Sequence, residues 1–206
     1  NFMNTKRDSM DRREFTKISV LGAGGFCLFP AMSPETILSS NSSPLIHRNE
    51  RTSMAYRKLG RTNFMSSRLV FGCGAALAGG KGTRLLDRAF DAGINHYDVG
   101  SNIYYKGSES TLAPFMKAHR DEIWVASKAP LASLKLKPDD SITAEQARNA
   151  AQDWTQLLHE SLKDLQTDYI DAYYLMAVSH PAIIKSEEIY KAFLEAKSAG
   201  KVGYFG

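Results

Sequence analysis

The chain has 206 residues, 43% of them hydrophobic and 23% charged, a balance that excludes a disordered, collagenous or multi-span membrane protein and makes one globular domain the default. The formal charge of +4 is small, and residues 1 to 17 alone hold five Lys/Arg against three Asp/Glu. The remainder is close to neutral, so neither a nucleic acid nor an anionic membrane is an expected partner.

In chain order, the first feature is Asp11-Arg12-Arg13-Glu14-Phe15-Thr16-Lys17, followed by an uncharged stretch from Ile18 to Pro34. Residues 1–32 read as a signal peptide. Gly22, Gly24, Gly25 and Pro30 interrupt the stretch, and it is shorter than the roughly 20 apolar residues that a span prefers, so no stable membrane anchor is expected. The arginine pair with Phe15 and Lys17 resembles a twin-arginine signal. That resemblance implies the twin-arginine export machinery as a partner and a periplasmic or extracytoplasmic location, the alternative being cytoplasmic if the leader does not function. Residues 33–53, rich in Ser and Asn with Pro34 and Pro44, read as a linker. Two cysteines, Cys27 and Cys73, have no CxxC or metal-ligand spacing, which excludes a disulfide framework and offers no metal site.

Residues 54–206 form the folded domain in this reading. Short apolar runs alternate with amphipathic stretches, the habit of βαβ units and parallel sheets. Arg68–Gly72 makes a first strand that enters the turn Gly72-Cys73-Gly74, and a helix with Leu85, Leu86, Ala89 and Phe90 on its buried face stops at Gly93. Ile94–Val99 is the second strand, followed by a helix from about Ser108 with Leu112, Phe115 and Met116 inward and Pro114 in its first turns. Ile123–Lys128 is the third strand. The clearest helix follows, with Ala147, Ala150, Trp154, Leu157, Leu158, Leu162 and Leu165 on one stripe. Tyr169–Met176 is the fourth strand, the next helix buries Ile189, Ala192, Phe193 and Ala196 and stops at Gly200, and Val202–Gly206 begins a fifth strand.

Right-handed β-α crossovers of this kind build either a closed barrel of about 250 residues or a doubly wound sheet. The first turn lacks the G-x-G-x-x-G of a dinucleotide-binding doubly wound sheet, which favours the barrel. The expected fold is α/β, a partial (β/α)8 TIM barrel of about four and a half βα units. Such a sheet has an unpaired edge, so the isolated chain is expected to be an inactive, aggregation-prone fragment. In a barrel the carboxyl ends of successive strands face one mouth, and Asp98, Lys128 and Met176 occupy such ends. A carboxylate, an ammonium and a nearby phenol are the parts from which a proton donor is built, because tyrosine ordinarily titrates near 10 and a neighbouring cation lowers that value.

Seven segments occur in the order of the landmarks of the aldo/keto reductases: Tyr56–Thr62, Ser67–Gly72, Ala92–Asp98, Gly107–Glu109, Ser127-Lys128, Leu165–Asp171 and Gly200–Gly206. The chain resembles that family over essentially all of residues 55–206. The resemblance implies reduction of a small aldehyde or ketone, with hydride from NADP(H) and a proton from a tyrosine. It assigns Asp98, Tyr104 and Lys128 as catalytic, and Gly72, Gly74 and Asp98 as cofactor-binding. An ungapped match puts Ile103 on the tyrosine position, so Tyr104 requires a shift of one residue and Tyr105 a shift of two. Met176 stands where the family has a histidine that orients the carbonyl, and a thioether donates no hydrogen bond. The alternative is a noncatalytic aldo/keto reductase-like binding or accessory protein, which Met176 and Ile103 favour. His96 and His180 read as structural or exposed, since neither has a second ligand at metal spacing.

Overall fold

The computed structural model describes residues 43–131, 134, 136–137, 140–178 and 180–206, so the expected signal peptide and the linker up to residue 42 lie outside the described residues. The folded unit runs from Ser43 to Gly206. Residues 43 to 53, read in sequence as linker, are part of it. The Arg48 guanidinium donates to the Ile123 carbonyl at 2.7 Å, the Asn49 amide donates to the Phe90 carbonyl at 2.8 Å, and Ile46 bridges to Phe64.

Two short strands come next, β1 (Tyr56–Lys58) and β2 (Met65–Ser67), paired antiparallel. The sequence reading contained no such hairpin. Its turn is set by Gly60 and Asn63, both at positive φ, with Thr62 Oγ1 donating to the Leu59 carbonyl at 2.6 Å. The hairpin delivers Phe64, fully buried, onto Trp124 with ring centroids 5.0 Å apart. Trp124 opens its strand, so the hairpin packs at the amino ends of the parallel strands, opposite the mouth.

The main sheet has five parallel strands in sequential order: β3 (Phe71–Gly72), β4 (His96–Asp98), β5 (Trp124–Pro130), β6 (Ile170–Met176) and β7 (Val202–Phe205). The order never reverses, as a doubly wound sheet would require, and this is the partial (β/α)8 barrel expected. The first strand is shorter than its apolar run suggests. Leu69 and Val70 are 60% and 48% exposed and precede the ladder, because Ser67, Arg68 and Leu69 are held by the hairpin and its turn instead.

Helix α1 (Cys73–Leu77) follows β3 directly, and α2 (Arg84–Asp91) buries Leu86, Ala89 and Phe90 while leaving Leu85 exposed, contrary to expectation. Gly93 stops α2 at φ +87, which an L side chain adopts only under strain. Helix α3 (Asn102–Tyr105) was not foreseen, whereas α4 (Ser108–His119) starts where expected, with Pro114 in its second turn. Helix α5 (Ala144–Asp164) carries a capping box in which Thr143 and Gln146 bond each other's backbone amides. The short α6 (Pro181–Ile184) and α7 (Glu187–Ser198) precede β7.

Period-two alternation divides each strand. Tyr97, Val125 and Tyr173 point outward into the main core with Leu112, Met116, Trp154 and Leu158. Ala126 and Ala172 point the other way, joining Phe64 and Trp124 in a second small cluster. Asp98, Lys128, Tyr174 and Met176 have the parity of this inner face, nearer the carboxyl ends.

Candidate active site

Parallel pairing sets the site. Asp98 lies opposite Ala126 on β5, so Lys128, two residues on and on the same face, reaches back over it. The Lys128 ammonium donates to Asp98 Oδ1 at 2.8 Å, to Asp98 Oδ2 at 2.7 Å and to the Val99 carbonyl at 2.7 Å. One acceptor therefore stands ready for each of its three N–H hydrogens. Its side chain is 18% exposed and that of Asp98 is 39% exposed, so the pair opens to the mouth from the carboxylate side.

Tyr104 and Tyr105 part company on α3. Tyr104 is 57% exposed, and its ring touches the pair only indirectly, through an edge contact with Tyr105 at 5.1 Å. Tyr105 turns inward, where the Lys128 Nζ stands 5.9 Å from its ring centroid. A Cβ on Gly74 would lie 2.7 Å from Tyr105 Cδ1, and one on Gly100 would lie 2.6 Å from Cε2. The ring is thus clamped between two glycines, and both must lack a side chain for it to lie there. The structure brings Asp98 and Lys128 together and places Tyr105, not Tyr104, against them. Ile103 is 77% exposed.

The two glycines singled out in sequence differ. The absence of a side chain at Gly74 is accounted for by the Tyr105 ring, whereas a Cβ on Gly72, at the end of β3 opposite Asp98, would meet nothing within 4 Å. Ser101, just past the carboxyl end of β4, has a buried hydroxyl without a hydrogen-bond partner among the described residues. Met176 pairs with Pro130 at the end of β6, half-buried.

Tyr174 reads in sequence only as part of the fourth strand, without a role in the site. It pairs with Lys128 across β5 and β6, and its ring crosses Gly206 so closely that a Cβ there would collide with it. Burial, and then the Asp98 carboxylate, push its phenol up. The only advance signal was its parity with Met176.

The other titratable groups near the site serve the fold. Burial pushes the His96 imidazole down, and its Nδ1 lies 3.0 Å from Ser66 Oγ. Burial pushes the Cys73 thiol up, and Asp98 adds to the effect. His180 Nδ1 accepts from the Ala182 amide at the start of α6. No cluster of His, Cys, Asp and Glu among the described residues could hold a metal ion, and no helix among them is long and apolar enough to cross a membrane.

The profile of the "Aldo/keto reductase family" matches residues 75–206. The chain belongs to the aldo/keto reductase family. Members are oxidoreductases that act on small carbonyl compounds with a nicotinamide cofactor. Among its relatives are the uncharacterized oxidoreductase YqkF of Bacillus subtilis, 29% identical over 74% of this chain and 48% of that protein. The aryl-alcohol dehydrogenase [NADP(+)] of Phanerodontia chrysosporium is 28% identical over 60% of this chain and 32% of that protein. The aldo-keto reductase AKR11C1 from Bacillus halodurans, in its holo form, superposes with a TM-score of 0.57 at 28% identity, over 74% of this chain and 49% of that one. This chain spans about half the length of these relatives or less.

Proposed function

We propose that this aldo/keto reductase is an exported, NADPH-linked reductase of small aldehydes or ketones, with Asp98, Lys128 and a tyrosine, Tyr105, as its catalytic residues. The observation that carries the reading is the phenol clamped between Gly74 and Gly100 against an ammonium that Asp98 holds in place. Tyr105 takes the role that the sequence reading gave to Tyr104. Its hydroxyl makes no hydrogen bond to another described residue, so it is available to a substrate carbonyl. Lys128, its hydrogens committed to Asp98 and Val99, acts as a fixed positive charge beside a phenol that gives up its proton. Asp98 fixes where that charge stands.

The mouth fits the nicotinamide end of a cofactor: Gly72 leaves open space opposite Asp98, and the Ser101 hydroxyl lacks a partner among the described residues. Gly72, Asp98 and Ser101 would meet it there, with Gly74 one layer behind. When bound, NADPH supplies the hydride. Export rests on the Arg12-Arg13 leader and would proceed through the twin-arginine machinery, which carries folded proteins.

The test, made in the full-length protein as parent, compares Tyr105→Phe with Tyr104→Phe, reading NADPH binding by fluorescence and NADPH oxidation with a panel of aldehydes and ketones. Tyr105→Phe is expected to bind NADPH as the parent does and to lose at least about 100-fold in kcat, the scale of general acid catalysis. Tyr104→Phe is expected to stay within about threefold, as an exposed ring should. Met176, which offers no donor on the inner face, favours a second reading as a nucleotide-binding accessory protein. NADPH binding by the parent without turnover of any carbonyl would establish that reading instead.

A further inference from the structure

A carbonyl oxygen has two lone pairs and can accept two hydrogen bonds at once, and the stronger its donors, the more of the charge developing on it they share. A donor count at this mouth leaves few choices. Lys128 has an acceptor for each of its hydrogens, Asp98 as a carboxylate donates nothing, and Met176 has no donor. With the Ser101 hydroxyl given above to the cofactor, two phenols remain, Tyr105 from α3 and Tyr174 from β6, and neither hydroxyl bonds to another described residue.

Tyr174 is placed for the task by strand register. It pairs with Lys128 and shares the inner face with Asp98, Lys128 and Met176. Met176, two residues further along the strand, lies about 6.5 Å from it at the usual rise, so the longer tyrosine covers ground that Met176 leaves without a donor. Its ring lies so close to Gly206 that any side chain at 206 would deny it this position. Burial and the Asp98 carboxylate both disfavour loss of its proton, which keeps it a donor.

We infer that Tyr174 is a second substrate-binding phenol of this site, whose hydroxyl donates a hydrogen bond to the carbonyl oxygen that Tyr105 protonates. This rests on the reductase reading above. Tyr105 gives its proton to the oxygen while Tyr174 keeps its own and fixes the direction of the lone pairs, so the carbonyl carbon presents one face to the hydride.

The experiment uses 4-nitrobenzaldehyde as the probe, in steady-state reduction with NADPH and in infrared difference spectra of the aldehyde bound with NADP+, where no reduction occurs. Tyr174→Phe removes one oxygen and keeps the ring over Gly206. It is expected to lower kcat by about 100-fold, the scale of losing one donor to a developing oxyanion, with NADPH affinity unchanged. Two donors lower the C=O stretching frequency further than one, so the bound band in Tyr174→Phe and in Tyr105→Phe should each retain about half of the parent's shift. Parental kcat and an unmoved band in Tyr174→Phe overturn the inference while leaving the reductase reading intact. Loss of the whole shift in Tyr105→Phe overturns it too, and that measurement stands even if Tyr174→Phe does not fold. A parent that reduces no carbonyl refutes the reductase reading, and the band then decides alone: an unshifted or absent band in the parent overturns the inference.

Discussion

Glu109 offers a test of the fold that does not pass through catalysis. Its carboxyl is fully buried against the sheet, where Oε1 accepts from Ser127 Oγ at 2.6 Å and Oε2 has no hydrogen-bond partner among the described residues. Burial pushes the carboxyl above its ordinary range; the Ser127 and Ser161 hydroxyls pull it back only in part, and Asp164 adds to the rise. The folded protein therefore keeps a proton at Glu109 after the unfolded chain has released its own, near pH 4.3. In that window the native state binds more protons, and stability falls as pH rises by at most about 1.4 kcal/mol per pH unit. The contribution is whole below the unfolded value and is lost through the raised folded one. Glu109→Gln keeps the shape and the acceptor for Ser127 but cannot ionise. Urea unfolding of parent and variant from about pH 4.5 to about pH 8 should show the variant gaining on the parent with pH, reaching about 1–3 kcal/mol, the cost of a buried unsatisfied polar group. A variant that falls further behind the parent as pH rises would refute the reasoning, since the ionised carboxylate would then be stabilising.

Gly100→Ala puts a Cβ 2.6 Å from Tyr105 Cε2. The side chain can swing away, so the melting curve should change little, but a displacement of about 1 Å should lower carbonyl reduction by about 100-fold. An unchanged rate would remove Tyr105 from the site. Asp171, 7% exposed, accepts from the Val125 amide at 2.9 Å and lies 2.9 Å from Arg120 and 3.3 Å from Arg48. Asp171→Asn leaves both guanidinium groups without their countercharge and should cost about 3 kcal/mol in urea unfolding, with a loss under about 1 kcal/mol showing that water already serves those arginines.

What the sequence determined by itself is what local periodicity controls. Alternation of strand and helix patterns gave the order of the parallel strands and put Asp98, Lys128 and Met176 at carboxyl ends that face one mouth, because both periods are properties of the backbone and not of its neighbours. Only the tertiary structure decided which tyrosine meets them. On α3 each residue turns the side chain by about 100°, so one position separates an exposed ring from one clamped between Gly74 of α1 and Gly100 of the loop after β4. The same holds for Tyr174, whose partner Lys128 is fixed by a register between strands, and for Leu69 and Val70, whose apolar run reads as strand although contacts with the β1–β2 hairpin hold Ser67, Arg68 and Leu69 out of the ladder. Contacts between distant segments leave no period in the chain, and the placement of the phenols rests on such contacts.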